Sequence, residues 1–241
     1  METFGAGGAI LATYNIHKFV GRDRRRDPER TFQVLRELDA DVIGIQEFDS
    51  RTHRRGAAVT VADLERETGY TAHVQPTRHN RDGYHGNLIL ARQNAHKVQR
   101  HNIGATEVEP RGMIEADFSV AGRTLRVAVT HLALWPPARA RQAAKIVRQL
   151  QAPPNGMMVL MGDLNEWLPF GGAGRVFHRH YGAHSKPASF PSIRPVVGFD
   201  QMWASPRGSL VSVAVHRSEL ADRASDHLPV KAMVDLLTDA A

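Results

Sequence analysis

Apolar residues along this chain come in short runs, most of them too short for helices and closed by polar clusters. Runs at Ala9 to Ile16, Asp41 to Glu47, Tyr70 to Gln75, Gly86 to Arg92, Met113 to Val120 and Arg123 to Thr130 predict strands. Met157 to Met161, Phe199 to Trp203, Leu210 to Val215 and Val230 to Leu236 predict four more. The Ala121-Gly122 turn makes Met113–Val120 and Arg123–Thr130 an antiparallel hairpin.

Three segments change to helical period. Asp27-Pro28 supplies an N-cap followed by proline at the first helical position, and Phe32, Val34, Leu35 and Leu38 form the apolar stripe behind it. Thr60-x-x-Asp63 opens a second helix that stops near Gly69. Pro136-Pro137 begins a third, with Ala143, Ile146, Val147 and Leu150 on one face, ending before Pro153-Pro154. Pro169 to Pro195 reads as irregular. No repeat or linker divides residues 1–241, so a single domain is expected. Many strands, few helices and mixed connections predict two packed sheets with helices on the outer faces.

The ends of the predicted strands carry chemistry. Tyr14-Asn15-Ile16-His17, Gln46-Glu47, Thr130-His131, Gly162-Asp163-Leu164-Asn165 and Asp200-Gln201 each cap or open an apolar run, and Ser225-Asp226-His227 precedes another. A buried polar group without a partner costs about 2–7 kcal/mol, so repeated polar strand ends imply one convergent site.

Composition narrows that site's chemistry. The 241 residues contain no cysteine, which excludes disulfides, thiolate metal ligands and a cysteine nucleophile. The net charge of +6 rests mainly on arginine, with only five lysines, and arginine suits bidentate phosphate recognition. Arg22-Asp23-Arg24-Arg25-Arg26 and Arg51-Thr52-His53-Arg54-Arg55 follow the first two site-bearing strands and are candidates to touch a polyanionic substrate; a solvated face is the competing reading. No run approaches the roughly 20 apolar residues that span a bilayer, and no basic patch followed by an apolar stretch opens the chain. A monomeric cytoplasmic protein without stable membrane insertion is expected.

Glu47, Asp163, Asp200 and Asp226 would repel one another on convergence unless a divalent cation or a proton relieved them. Hard oxygen ligands with few imidazoles favour Mg²⁺ or Mn²⁺ over Zn²⁺. With the amides of Asn15 and Asn165 and the imidazoles of His131 and His227, such a set suits attack by water on a phosphate ester. Each short motif alone is unspecific.

The order of the motifs is not. Thr13-Tyr14-Asn15-Ile16, Asp41-Val42-Ile43-Gly44-Ile45-Gln46-Glu47, Gly86-Asn87-Leu88-Ile89-Leu90, Val129-Thr130-His131-Leu132, Gly162-Asp163-Leu164-Asn165, Phe199-Asp200-Gln201 and Ser225-Asp226-His227-Leu228-Pro229 span Leu11 to Val234. In this order they resemble the endonuclease/exonuclease/phosphatase superfamily, which includes deoxyribonuclease I-like nucleases, apurinic-site endonucleases, inositol-polyphosphate 5-phosphatases and bacterial sphingomyelinases. The resemblance implies an α/β fold, a four-layer α/β/β/α sandwich of two mostly antiparallel mixed sheets. It implies a divalent-metal-dependent phosphodiesterase acting on a phosphate ester, nucleic acid included; a phosphomonoesterase and a sphingomyelinase-like lipid phosphodiesterase are the alternatives, and a noncatalytic binding module is a remoter one.

By the same resemblance Glu47 is the principal Mg²⁺ ligand, with Asn15 beside it and Asp226 either in the metal environment or orienting His227. Asp163 orients or deprotonates the attacking water, Asn165 holds a phosphate oxygen, His227 contacts the scissile phosphate with Asp200 as its carboxylate partner, and His131 is the second imidazole. Asn15, Tyr84, Asn87 and Arg194 complete the substrate contacts. His17 in Asn15-Ile16-His17-Lys18 marks a small bacterial branch, and is either a third imidazole near phosphate or a loop residue. Tyr84 competes with a packing role, and His85 ranks below it. In Trp167-Leu168-Pro169-Phe170-Gly171-Gly172 the aromatic residues are expected to cover the core, the alternative being an apolar surface or lid.

Overall fold

The computed structural model describes residues 7–51, 58–104, 110–168, 171–182 and 186–236. Residues 52–55 of the second arginine cluster, and Pro169 and Phe170, lie outside the described residues.

In chain order the elements are β1 (Gly8–Asn15), α1 (Pro28–Leu38), β2 (Val42–Asp49), α2 (Val61–Thr68), β3 (Thr71–Asn80), β4 (Gly83–Ala91), β5 (Lys97–Asn102) and β6 (Gly112–Val120). They continue with β7 (Arg123–His131), α3 (Pro136–Gln149), β8 (Gly156–Asp163), α4 (Gly172–Tyr181), β9 (Asp200–Ser205), β10 (Leu210–Val215), α5 (Ala221–Ala224) and β11 (Val230–Asp235). A six-stranded sheet runs β10-β11-β1-β2-β4-β3 and a five-stranded sheet β5-β6-β7-β8-β9. Each has a single parallel pair, β1 with β2 and β7 with β8, while the other neighbours are antiparallel. A parallel pair needs a long crossover, which α1 and α3 supply.

Strand alternation builds the layers. In β2, Val42 faces the core between the sheets, where it meets Ile114, Val127, Val129 and Met161, whereas Ile43 and Ile45 face Leu35, Leu38 and Leu64 of α1 and α2. In β8, Val159 and Met161 face the same inter-sheet core, and Met158 and Leu160 pack under Ala143 and Ile146 of α3 and Phe177 of α4. Layers of helix, sheet, sheet and helix follow, as expected from the resemblance. Gly44 is set by the sheet contact, since a Cβ there would stand 2.6 Å from Val129 Cγ2 and 3.0 Å from Met161 Cε.

The helix ends use the predicted residues. The Asp27 side chain accepts from Arg30 N, and Thr60 and Asp63 form a reciprocal capping box. Three elements depart from the sequence reading, the shortest being the four-residue helix α5. The stretch from Pro169 to Pro195 contains α4, whose buried Ala173, Phe177 and Tyr181 recur every fourth residue behind a glycine-rich start. The strand β5, Lys-Val-Gln-Arg-His-Asn, is an edge strand with one strongly apolar residue and so carries little hydrophobic signal. Among the described residues no helix is long and apolar enough to cross a membrane.

Candidate functional site

The site forms where the carboxyl ends of the two parallel pairs meet across the seam between the sheets. On one sheet Asn15 is registered with Gln46, one residue before Glu47. On the other, His131, Asp163 and Asp200 are successive cross-strand neighbours on β7, β8 and β9. Asn15 spans the seam: its Nδ2 donates to Asp163 Oδ2 at 2.9 Å and lies 3.4 Å from Glu47 Oε1. Behind it Thr13 and Gln46 bond side chain to side chain, which satisfies both in full burial.

Backbone strain aims several of these groups. Glu47 has φ 59° where the β2–β4 register shifts between Ile45 and Phe48, and Asn165 has φ 50°. His17, Lys18 and Phe19 take φ of 45°, 56° and 65° in succession in a short 3-10 turn. Left-handed backbone costs roughly 1–2 kcal/mol for each residue other than glycine, so such a run persists only where surrounding contacts impose it. Here it brings Lys18 Nζ to 3.4 Å from Glu47 Oε2 and His17 Nδ1 to 3.5 Å from Asp226 Oδ1.

Asp163 is the hub. Its Oδ1 accepts from Asn165 N at 3.0 Å, and Asn15 Nδ2, His131 Nε2 at 3.4 Å and His227 Nε2 at 3.7 Å surround its Oδ2. The two imidazoles differ in charge. His227 donates from Nδ1 to Asp200 Oδ2 at 2.8 Å, and that oxygen also accepts from Ser189 Oγ at 2.6 Å. Burial opposes a charge on His227, but Asp200 and Asp163 on its two sides raise its pKa to about 10. His131 goes the other way: burial pushes it down to about 3, and Asp163 opposes this without overcoming it. Asn165 Nδ2 donates to Leu132 O at 3.0 Å, which fixes the amide, and its other hydrogen points at His131 Nε2, 3.1 Å away, which accepts as a neutral imidazole does. A cation and a neutral base thus flank one carboxylate.

Beside the hub a cavity of about 210 Å³ is lined by Lys18, Glu47, Arg51, Arg78, His85 and Arg111, together with His131. Burial works against a charge on Glu47, but Lys18, His85 and His17 hold its carboxyl below the usual range. Among the described residues Glu47 Oε2 is buried without a hydrogen-bond partner, with the Lys18 ammonium 3.4 Å away. A carboxylate oxygen left open with a cation standing next to it, and an amide beside it, fits a divalent metal site built on Glu47 and Asn15. Asp163, Asp200 and His227 also have ligand atoms within 4.8 Å of one another. Both nitrogens of His227 already face carboxylates there, so this trio is better described as a charge-paired imidazolium than as a metal cage.

The structure brings Asn15, Glu47, His131, Asp163, Asn165, Asp200 and His227 together, with Asp226 adjoining through His17. Others lie apart. Tyr84 turns to the opposite face of β4 and packs on Phe48 at 5.9 Å between ring centroids, while its neighbour His85 lines the cavity. Asn87 is a buried strut between the sheets, donating to Gly112 O at 3.0 Å. Arg194 sits on an exposed turn closed by Arg194 N on Pro191 O and touches none of the converged side chains. Trp167 does not cover the core as expected; it stands exposed between the buried Glu166 and the start of α4. Sequence reasoning gave no role to Lys18, although it closes the Asn15-Ile16-His17-Lys18 motif, and missed Arg78 and Arg111, which no local motif marks. Of the first arginine cluster, Arg22, Arg24 and Arg26 line a second cavity of about 450 Å³ with His17, Lys18 and Asp226.

Comparison with known proteins agrees with this fold. The profile of the Endonuclease/Exonuclease/phosphatase family matches residues 12–227. The chain is 25% identical to the uncharacterized protein YbhP of Escherichia coli over 254 aligned positions, covering 94% of this chain and 96% of that protein. In fold it is similar to an endonuclease/exonuclease/phosphatase from Bacteroides vulgatus, with a TM-score of 0.73 at 17% identity over 95% of this chain and 99% of the other. It is also similar to D. rerio TDP2 complexed with a single-strand DNA product, with a TM-score of 0.65 at 15% identity over 94% and 98% of the two chains. With the family profile covering nearly the whole chain, the protein belongs to the endonuclease/exonuclease/phosphatase family, whose enzymes hydrolyse phosphate esters using divalent metals.

Proposed function

We propose that the protein is a metal-dependent phosphodiesterase in which Asp163 positions and deprotonates the attacking water. The observation that carries this reading is the asymmetric surround of Asp163, with cationic His227 on one side, neutral His131 on another and the Asn15 amide bridging to Glu47. Glu47, Asn15 and Asp226 would hold Mg²⁺ or Mn²⁺. Such an ion supplies charge neutralisation at the nonbridging phosphate oxygens.

The chain's own groups do the rest. Asn15 Nδ2 and the Asn165 amide N–H donate to Asp163 and fix its carboxylate where it can take a proton from water. The His227 imidazolium, held by Asp200, presents positive charge where the phosphorane forms. Asn165 fixes the His131 ring by donating to its Nε2, so that the ring stands as a neutral partner beside Asp163. Lys18, Arg51, Arg78 and Arg111 around the cavity suit an anionic substrate that extends beyond the scissile phosphate, and a nucleic acid is one such substrate.

The test is hydrolysis of bis-p-nitrophenyl phosphate, p-nitrophenyl phosphate, single- and double-stranded DNA, RNA and phospholipids, each with Mg²⁺, Mn²⁺ or EDTA, against His227→Ala. Diester cleavage that needs metal and disappears in the variant is expected. Cleavage of monoesters alone would move the assignment to a phosphomonoesterase, and cleavage persisting in His227→Ala would refute the site.

A further inference from the structure

Among the described residues, six of the eight large hydrophobic side chains that stand exposed lie on three loops: Leu134 and Trp135, Trp167 and Leu168, Ile193 and Val196. The three loops leave one row of the site. The first follows His131, the second follows Asp163 and the third leads into Asp200, and these three residues are cross-strand neighbours. The exposed side chains therefore rim one edge of the site.

Buried polar groups hold the three loops together. Arg139 Nη1 donates to the carbonyl oxygens of Ala133 and Leu134, and Arg139 Nη2 lies 3.8 Å from Glu166 Oε1. Gln201 Nε2 donates to the carbonyl oxygens of Glu166 and Gly198. This frame fixes the backbone while the apolar tips face solvent: Val196 is 77% exposed, Leu134 71%, Trp167 56% and Trp135 55%. Monomeric proteins rarely leave apolar side chains clustered in this way without an apolar surface to meet.

Charge identifies that surface. Residues 132–141, 164–175 and 186–199 contain a single carboxylate, Glu166, which is buried against Arg139. The same segments carry Arg141, Arg175, Lys186 and Arg194. One face of the Trp135 ring is covered by the Arg141 guanidinium at 5.5 Å. Four of the six exposed side chains are aliphatic and offer no face for a nucleobase to stack on. Aliphatic tips, two tryptophans and loop segments that carry cations but no exposed carboxylate match the interfacial zone of an anionic lipid layer, with Asp222 and Asp226 standing behind the Ile193 turn through Ser192.

We propose that this rim docks the protein on the surface of an anionic phospholipid bilayer, presenting the mouth of the site to the headgroup phosphates. The docking goes beyond the catalytic assignment and does not depend on it.

The test is cosedimentation of the full chain with vesicles of mixed phosphatidylglycerol and phosphatidylcholine, with tryptophan emission recorded, beside vesicles of phosphatidylcholine alone and a single-stranded oligonucleotide. Binding to the mixed vesicles with a blue shift is expected, weaker on phosphatidylcholine alone. Leu134→Ser and Val196→Asp should each weaken it about tenfold, the cost of leaving one large aliphatic side chain unburied. Both variants should keep the wild-type circular dichroism and whatever activity the wild type has on bis-p-nitrophenyl phosphate. His227→Ala should bind vesicles as the wild type does, which separates docking from catalysis. Failure to bind the mixed vesicles, or binding unchanged in both variants, would overturn the proposal. So would oligonucleotide binding that falls in the same variants while vesicles are ignored.

Discussion

Asn15 and Asp163 stand on different sheets, 148 positions apart in the chain, and are joined by a hydrogen bond of 2.9 Å. The amide of one parallel strand pair is thereby locked to the carboxylate of the other, and the distance between the sheets sets the distance between the Glu47 side of the site and the hydrolytic side. The first prediction concerns that hub. Asp163→Asn keeps the shape and removes the base, so kcat on a diester substrate should fall by about 10²–10⁴-fold. Mn²⁺ binding, followed by isothermal titration calorimetry, should persist, because Glu47 and Asn15 remain.

His227 yields a pH signature. Its folded-state pKa is raised from 6.5 to about 10, chiefly by Asp200 and Asp163 against the opposing effect of burial. A raised value means that its contribution to stability is complete below about pH 6.5 and is lost as pH rises through about 10. Asp200→Asn removes the main cause. The basic limb of the kcat profile should then move toward neutral pH, and the loss of thermal stability at high pH should begin at a lower pH, as followed by circular dichroism melts from pH 6 to 11.

For the cation site the expectations have opposite signs at two positions. Glu47→Gln should abolish the rise in melting temperature that Mg²⁺ or Mn²⁺ gives the wild type, since stabilisation by a ligand follows its affinity for the folded state. Lys18 holds its ammonium 3.4 Å from Glu47 Oε2. Lys18→Met should therefore bind Mn²⁺ more tightly, read as a lower calorimetric Kd.

Packing between the sheets can be probed without touching the chemistry. Gly44→Ala would place a Cβ 2.6 Å from Val129 Cγ2. Overpacking of this kind costs about 1–3 kcal/mol, measurable as a lower urea midpoint with little change in slope.

Most of the scaffold was legible in the sequence because its signals are local. The Thr60/Asp63 box, the Asp27-Pro28 start and the alternation in β2 and β8 each act within a few residues. The polar strand ends were legible for the opposite reason: Asn15, Glu47, His131, Asp163 and Asp200 make sense only if they converge. What escaped depends on context. The strand β5 is held by pairing with β6 rather than by its own apolar content, and the glycines at the start of α4 obscure its period. The ranking of Tyr84 above His85 failed because the face of β4 was not fixed. Its pairing slips between Ile45 and Phe48 on β2 and between Pro76 and Arg78 on β3. Lys18 entered the site through a left-handed turn that no spacing rule signals.

That turn has a consequence for how the protein tolerates change. Glycine at 17 or 18 would relieve the left-handed backbone, and selection for heat resistance alone would favour it. It would also delete the imidazole facing Asp226 or the ammonium facing Glu47. Robustness and performance pull in opposite directions at these two positions, and the residues found there mark the side on which this chain has settled.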